Sequence, residues 1–347
     1  MSRRVLLPFL LSALCLPSAL AVAQQPPQPA PAPDANTIRL NVVVAPSKGA
    51  PIAGLHQQDF TVFDNKSPQT ITGFHAYTGP NAPVEVILVI DAVNTSYITI
   101  AYEREQIGKF LEANGGHLAH PTALAVFSDR GNQVQQGFTT DGNAVNTALK
   151  SFTIGLRDIR RSAGIYGADD RLQLSLTALQ QLAARESARP GRKLVLWLSP
   201  GWPILSGPAI QLTNKQQDAL FRTAADVSTQ LRQAQITLYA LNPLGVGESL
   251  GRSLYYEEFL KGVDKPSNMQ IGNLALQVLA VQSGGLALNS TGVADLLQRS
   301  VADAENYYEL DFSPIPGEPD HPYHQVDVKV TEGGVEARAR TGYYARP

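Results

Sequence analysis

Five consecutive apolar residues, Val86-Ile87-Leu88-Val89-Ile90, run straight into Asp91. A strand with one wet face alternates apolar and polar residues, so an unbroken run of this kind is a strand covered on both faces. Similar runs recur at residues 123–127, 193–198 and 236–241. Helical spacing fills the gaps: Ile100, Ile107, Phe110 and Leu111 within 97–114, then Leu172, Leu176, Leu179 and Leu182, then Leu220, Ala224, Val227 and Leu231. Shorter helices are expected at 143–152, 273–282 and 293–304, an edge strand at 134–139 and a strand-like segment at 285–288. Buried strands alternating with helices connect through right-handed crossovers. The expected fold is therefore α/β over residues 81–306: a doubly wound, mostly parallel sheet with helices on both faces.

Period-2 patterns flank that centre. In 37–80, Ile38-Arg39-Leu40-Asn41-Val42 alternates, Phe60-Thr61-Val62-Phe63 and 69–74 read as further strands, and the segments around Gly49 and Asn65 read as turns. In 307–347, Tyr308-Glu309-Leu310-Asp311-Phe312 and 325–331 alternate, and Gly333-Gly334 reads as a hairpin-type turn. The simplest arrangement joins the N- and C-terminal β segments in one small β-sandwich, with the α/β domain inserted between them. Two separate β appendages fit the same pattern.

The first residues belong to no fold. Arg3 and Arg4 precede an apolar run from Val5 to Leu20, and Ala21-Val22-Ala23 offers a small-x-small cleavage site, so 1–23 reads as a secretory signal peptide. The run is short and carries Pro8 and Pro17, which sets it apart from a membrane anchor, and no span is expected in the mature chain. Residues 24–36, opening QQPPQPAPAP, read as a proline-rich extended linker. The chain is expected to be exported, either periplasmic or secreted. Its one cysteine, Cys15, lies in the leader, so the mature chain has no disulfide framework and rests on its core. A formal net charge of -2 offers little to displace counterions from a polyanion, so nucleic acid is not an expected partner.

Ligands of open α/β sheets bind outside the carboxyl ends of the strands. Asp91 ends such a strand, and Asn94 and Thr95 follow in its loop. Carboxylate and hydroxyl oxygens in this arrangement suit a hard cation, Mg²⁺ or Ca²⁺. Several segments in order, Asp59-Phe60-Thr61-Val62-Phe63-Asp64-Asn65-Lys66, Val89-Ile90-Asp91, Pro190-Gly191-Arg192-Lys193, Asn306-Tyr307-Tyr308-Glu309-Leu310 and Arg340-Thr341-Gly342-Tyr343-Tyr344, carry a resemblance over most of the mature chain. They resemble the von Willebrand factor A-like (vWA) family, and most closely its exported bacterial VWFA-related, acidobacterial-type branch. The resemblance implies a Rossmann-like vWA domain with a metal-ion-dependent adhesion site. That site is built from Asp-x-Ser-x-Ser after the first strand, a Thr from a second loop and an Asp after the fourth strand. This sequence departs from it. The first motif is Asp91-Ala92-Val93-Asn94-Thr95, and Val93 cannot ligate. The second loop, expected near Gly167-Ala168-Asp169-Asp170, offers Asp169 or Asp170 in place of the Thr, and Ser199 stands where the Asp is expected. Asp91, Asn94, Thr95, Asp169 and Ser199 are thus expected to form a degenerate site, weakened for Mg²⁺ or Ca²⁺, or to serve only to brace the loop.

Catalytic signals are lacking. There is no G-x-S-x-G elbow, and the pairs His117-x-x-His120 and His321-x-x-His324 lack the Glu of a zinc helix and read as surface histidines. Gly245-Val246-Gly247-Glu248-Ser249-Leu250-Gly251 follows a late strand and reads as a flexible loop, not a dinucleotide fingerprint. Asp169-Asp170 and Glu257-Glu258 read as solvated pairs. Trp197 reads as core, and Trp202 either as an aromatic displayed beside the site or as one packed against a neighbouring loop. The expected function is that of an exported, non-enzymatic, adhesion-type protein whose sheet-end face engages a protein or cell-surface ligand through Asp91, Thr95 and Trp202. A hydrolase of unfamiliar type using top-face carboxylates, and a structural envelope assembly protein, are the alternatives.

Overall fold

The computed structural model describes residues 37–79, 82–152, 164–203, 211–245, 255–315 and 321–345. The expected leader and linker lie outside the described residues, as does most of the glycine-rich loop after 245. Four strands come first: β1 (Ile38–Ala45), β2 (Phe60–Asp64), β3 (Ser67–Gln69) and β4 (Ile71–Thr78). The centre follows as β5 (Val84–Asp91), α1 (Tyr97–Glu112), β6 (His117–Ser128), β7 (Gly131–Val134), β8 (Thr139–Asp141), α2 (Gly142–Ser151), α3 (Gly164–Glu186) and β9 (Arg192–Leu198). It continues with α4 (Asn214–Gln233), β10 (Ile236–Asn242), α5 (Leu276–Gln282), β11 (Ala287–Asn289) and α6 (Val293–Ala302). The chain closes on β12 (Asn306–Phe312), β13 (Tyr323–Val330), β14 (Glu336–Arg338) and β15 (Gly342–Tyr344).

The central sheet runs β11-β10-β9-β5-β6-β7, with β8 beside β6. Neighbours from β11 to β6 are parallel, while β7 and β8 pair antiparallel with β6. From β5 the chain goes to one side for β6 and to the other for β9, so strand order reverses there. The crevice beyond the carboxyl ends of β5 and β9 is the topological switch point. β5 has no polar residue in its middle because both its faces are covered. Val86, Leu88 and Ile90 share a core with Ile100, Ile107 and Leu111 of α1 and Leu296 and Leu297 of α6. Ile87 and Val89 share the opposite core with Leu172, Leu176, Leu179 and Leu182 of α3 and Leu276 and Leu279 of α5. Local signals start the helices: Ser96 caps α1 by accepting from the Thr99 N–H at 3.1 Å, and Thr213 and Gln216 form a capping box on α4.

The flanking strands mix the two ends of the chain. One sheet is β14-β1-β12-β4 and the other β15-β13-β2-β3. Leu40 and Val42 of β1, Phe60 and Val62 of β2, Leu310 and Phe312 of β12 and Val326 and Val328 of β13 share a third core. Alternation along β1 leaves Arg39 and Asn41 out of that core.

Several local expectations change. The edge strand β7 ends at Val134, where it was expected to begin, and residues 273–282 divide into a 3-10 turn (Ile271–Leu274) and α5. Gly333-Gly334 closes no hairpin, because β13 pairs with β2 and β15 whereas β14 pairs with β1; the turn passes the chain from one sheet to the other. The histidine pairs lie partly on strands, and strand alternation buries one member of each, His120 and His324. His324 Nδ1 lies 2.8 Å from Asp64 Oδ1, and the Tyr343 hydroxyl donates to Asp64 Oδ2 at 2.6 Å, joining β2, β13 and β15 through one buried polar group. His120 has no such partner, and burial pushes it down to about 4, so it stays neutral. Among the described residues no helix is long and apolar enough to cross a membrane.

Candidate functional site

Asp91 ends β5 at the switch point and is completely buried. Its carboxylate is enclosed by N–H donors. Oδ1 accepts from the backbone N–H of Val93 at 3.0 Å and of Asn94 at 2.9 Å. Oδ2 accepts from Asn94 Nδ2 at 2.9 Å and from Trp197 Nε1 at 3.1 Å. Asn94 Nδ2 also reaches Ser175 Oγ at 2.9 Å, so α3 is tied to the same loop. Burial pushes the Asp91 carboxyl above its ordinary range, while hydrogen bonds from Asn94, Trp197 and Ser199 favour its ionised form.

A second carboxyl stands nearby. Glu103 lies on the buried face of α1 with Ile100 and Ile107, is 0% exposed, and neither of its oxygens has a hydrogen-bond partner. Burial, with a further contribution from the Asp91 charge, pushes Glu103 up to about 9. Two buried carboxyls in electrostatic reach do not both ionise readily, and the one with donors around it keeps the charge. Glu103, which meets no donor, is thus the carboxyl held neutral at pH 7.

The fold brings together some of the residues singled out from the sequence and leaves others apart. Asp91, Asn94 and Ser199 meet at the switch point, and Thr95 is buried in the same loop, its N–H bonding the Asp91 carbonyl at 3.2 Å. Asp169 is exposed on α3, and the residue of that helix that joins the Asp91 loop is Ser175. Of the two readings left open for Trp202, display and packing, the second holds: it is only 4% exposed and packs edge-on against Trp197 with ring centroids 5.7 Å apart, so it is not a displayed contact residue. Trp197 itself fills the core between Phe127 and Trp202 while its indole N–H serves Asp91.

This donor set does not fit a hard cation at Asp91. A cation needs oxygen lone pairs turned toward it, whereas the Asp91 oxygens already face four N–H groups. Among the described residues no three His, Cys, Asp or Glu side chains gather as a metal site.

Above the buried network the surface is different. Tyr97, Ile98 and Tyr102 follow β5, Ile165 and Tyr166 open α3, and Leu244 follows β10; all are exposed, Ile98 to 85% and Tyr166 to 83%. Each belongs to the carboxyl-end rim of the central sheet. The Tyr102 hydroxyl donates to the Thr291 carbonyl beyond β11 at 2.7 Å, linking two loops of that rim. Since Ser175 bonds the Asp91 loop, the start of α3 lies about 16 Å from that contact along the helix axis, at roughly 1.5 Å per residue.

No family model and no curated protein matches this chain. Solved structures do. A human COPII-coat protein aligns at 11% identity over 79% of this chain and 46% of its own, with a TM-score of 0.35. The VWA domain of SpRpn10 aligns at 12% identity over 63% of this chain and 95% of its own, TM-score 0.29. The pilus adhesin SpaC from Lactobacillus rhamnosus GG aligns at 12% identity over 83% of this chain and 49% of its own, TM-score 0.36. The chain thus spans about half the length of the coat protein and of the adhesin.

Proposed function

We propose that this chain is an exported, non-enzymatic binding module of vWA-like architecture that holds a protein partner on the rim above the switch point. The distribution of apolar surface carries the reading. Among the described residues, every exposed large hydrophobic side chain except Ile315 stands on that rim. Apolar side chains scattered singly over a surface need no explanation, but gathered ones mark an interaction face. Tyrosine adds area at low entropic cost and is frequent among residues that dominate binding. The rigid base beneath, knotted around Asp91, holds the loops that display them.

The hydrolytic alternative needs two carboxylates that a substrate can reach, and neither Asp91 nor Glu103, two carboxyls within electrostatic reach of each other, is exposed. A metal-assisted version of the binding reading needs a cation at Asp91, where N–H groups stand instead. Calorimetric titration of the full chain with Mg²⁺ and Ca²⁺ is expected to give no saturable heat. Saturable binding that disappears in Asp91→Asn would restore the metal-ion-dependent reading.

The rim is tested by Ile98→Asp and Tyr166→Asp in the full chain, with affinity capture from the native envelope fraction. Each substitution is expected to lower recovery of the partner about tenfold or more, the effect of losing one dominant contact. Both sites are exposed, so melting is expected to move by no more than about 0.5 kcal/mol in stability. Unchanged recovery from both variants removes the rim from the account.

A further inference from the structure

A strand at a sheet edge offers a row of backbone N–H and C=O groups to another chain, and natural edges are kept short, charged or proline-bearing for that reason. Among the described residues the edges of this protein are short with one exception. β3, β8, β11, β14 and β15 are three residues long and β7 is four. β4, the outer strand of the sheet β14-β1-β12-β4, is eight residues long. Its sequence, Ile71-Thr72-Gly73-Phe74-His75-Ala76-Tyr77-Thr78, holds no Asp, Glu, Lys, Arg or Pro. Among the described residues β4 pairs with β12 alone; the register is unbroken from Gly73–Asp311 to Thr78–Asn306, and its irregularity lies at the Ile71 end.

The strand is anchored on both faces and open at its side. Phe74 packs on Phe60 with ring centroids 5.9 Å apart, and Tyr77, on the other face, stacks on Tyr307 at 4.8 Å. His75 and Ala76 are neighbours and so point to opposite faces, yet both are exposed, as are Thr72 and Thr78. One end is partly covered, the Ile71 carbonyl accepting from Gln57 Nε2 at 3.2 Å. Because β4 carries no charged residue, no register of β4 against a second β4 sets like charges across the ladder. Identical strands pair antiparallel about a two-fold axis normal to the sheet, and a contact of this self-complementary kind closes at two copies. The far edge of the same sheet, β14, is three residues long and carries Glu336 and Arg338, so growth does not continue there.

We infer that β4 is the self-association edge of this chain: two copies join β4 to β4, antiparallel, making one continuous sheet from two four-stranded ones. β4 leads into the amino end of β5, the end of the central sheet away from the rim, so each copy keeps its rim free. The inference does not rest on the binding function proposed for that rim.

Sedimentation of the full chain tests it. Eight residues a side is far below the roughly 20–30 of a standard interface, so the dimer is expected to dissociate in the micromolar range. The weight-average mass is expected to double, and to rise no further, between about 1 and about 500 µM. Over the same range alternate backbone amides of β4 are expected to gain protection from hydrogen exchange. Thr72→Lys with Ala76→Lys brings like charges together along the new ladder from two exposed positions, and is expected to weaken self-association about tenfold or more. Thr72→Glu with Ala76→Glu is expected to do the same, and an equimolar mixture of the two variants to recover association as a heterodimer. Should the lysine variant not fold, the exchange protection and the glutamate variant still decide the matter. A chain that stays monomeric overturns the proposal and leaves the edge to a strand of another protein. Growth beyond two copies, or a dimer that both variants form as readily as wild type, overturns it equally.

Discussion

Replacing Glu103 by glutamine is expected to raise the stability of this protein at neutral and alkaline pH and to flatten its pH dependence. In the unfolded chain the Glu103 carboxyl titrates near its ordinary 4.5, and in the folded state near 9. Between those values the folded state holds a proton that the unfolded state has released, so stability falls as pH rises. The protein is at its full stability, as far as this group is concerned, below pH 4.5 and loses ground continuously up to about pH 9. At about 1.4 kcal/mol per pH unit, the loss by pH 7 is about 3 kcal/mol. That is large beside the roughly 5–15 kcal/mol that holds a typical domain folded. Glutamine copies the shape of the neutral acid and cannot ionise. Urea midpoints of wild type and Glu103→Gln, followed from about pH 4 to about pH 9, should coincide at the acid end and separate progressively with the variant above. Parallel curves would mean that Glu103 is not held neutral by its surroundings.

The position of Glu103 also shows what a sequence reading can and cannot reach. Ile100 and Ile107 announced the buried stripe of α1, and residue 103 falls on that stripe at helical spacing. The carboxyl could have been flagged by its place in the pattern; that it lacks any hydrogen-bond partner could not, because that depends on which side chains arrive from elsewhere. The same division runs through the fold. The apolar run of β5 required two covering layers, and the alternation of Val86, Leu88 and Ile90 with Ile87 and Val89 between two cores is what that run meant. Pairing was less visible. Gly333-Gly334 has hairpin composition, yet β13 and β14 enter different sheets, since strand partners are chosen by long-range packing and not by turn chemistry alone. At the site, Asp91 and Asn94 were read from their place after the strand, and Ser199 only through the vWA resemblance. Trp197 was assigned to the core, where it is, but an indole that is both core and hydrogen-bond donor reads in sequence as core only. Ser175 was hidden for a similar reason: it lies among Leu172, Leu176 and Leu179 on the inner face of α3, and short polar residues on such a face carry no sign of what they bond.

Asp91→Ala is expected to destabilise the protein by about 3–5 kcal/mol, the range found when one member of a buried charged network is removed. Four donors lose their acceptor at once: the N–H groups of Val93 and Asn94, the Asn94 amide and the Trp197 indole. Each unsatisfied buried donor costs about 1–3 kcal/mol, but the four share one acceptor and their costs do not add. Part of the loss is returned through Glu103, whose pKa is raised in part by the Asp91 charge and should move back toward 4.5 in the variant. The pH dependence should therefore weaken in Asp91→Ala even as overall stability falls, a combination that a simple packing defect would not give. A cycle with Trp197→Phe isolates the indole–carboxylate bond: the double variant should lose less than the sum of the single losses, by about 1 kcal/mol or more. These outcomes fix how partner binding by Asp91→Ala is to be interpreted. The carboxylate anchors the loop that leads into Tyr97 and Ile98, so weaker capture by this variant follows from a loosened rim without any contact between Asp91 and the partner. Stability of Asp91→Ala within about 1 kcal/mol of wild type would break that chain of reasoning, leaving the carboxylate free of structural duty and available for a ligand.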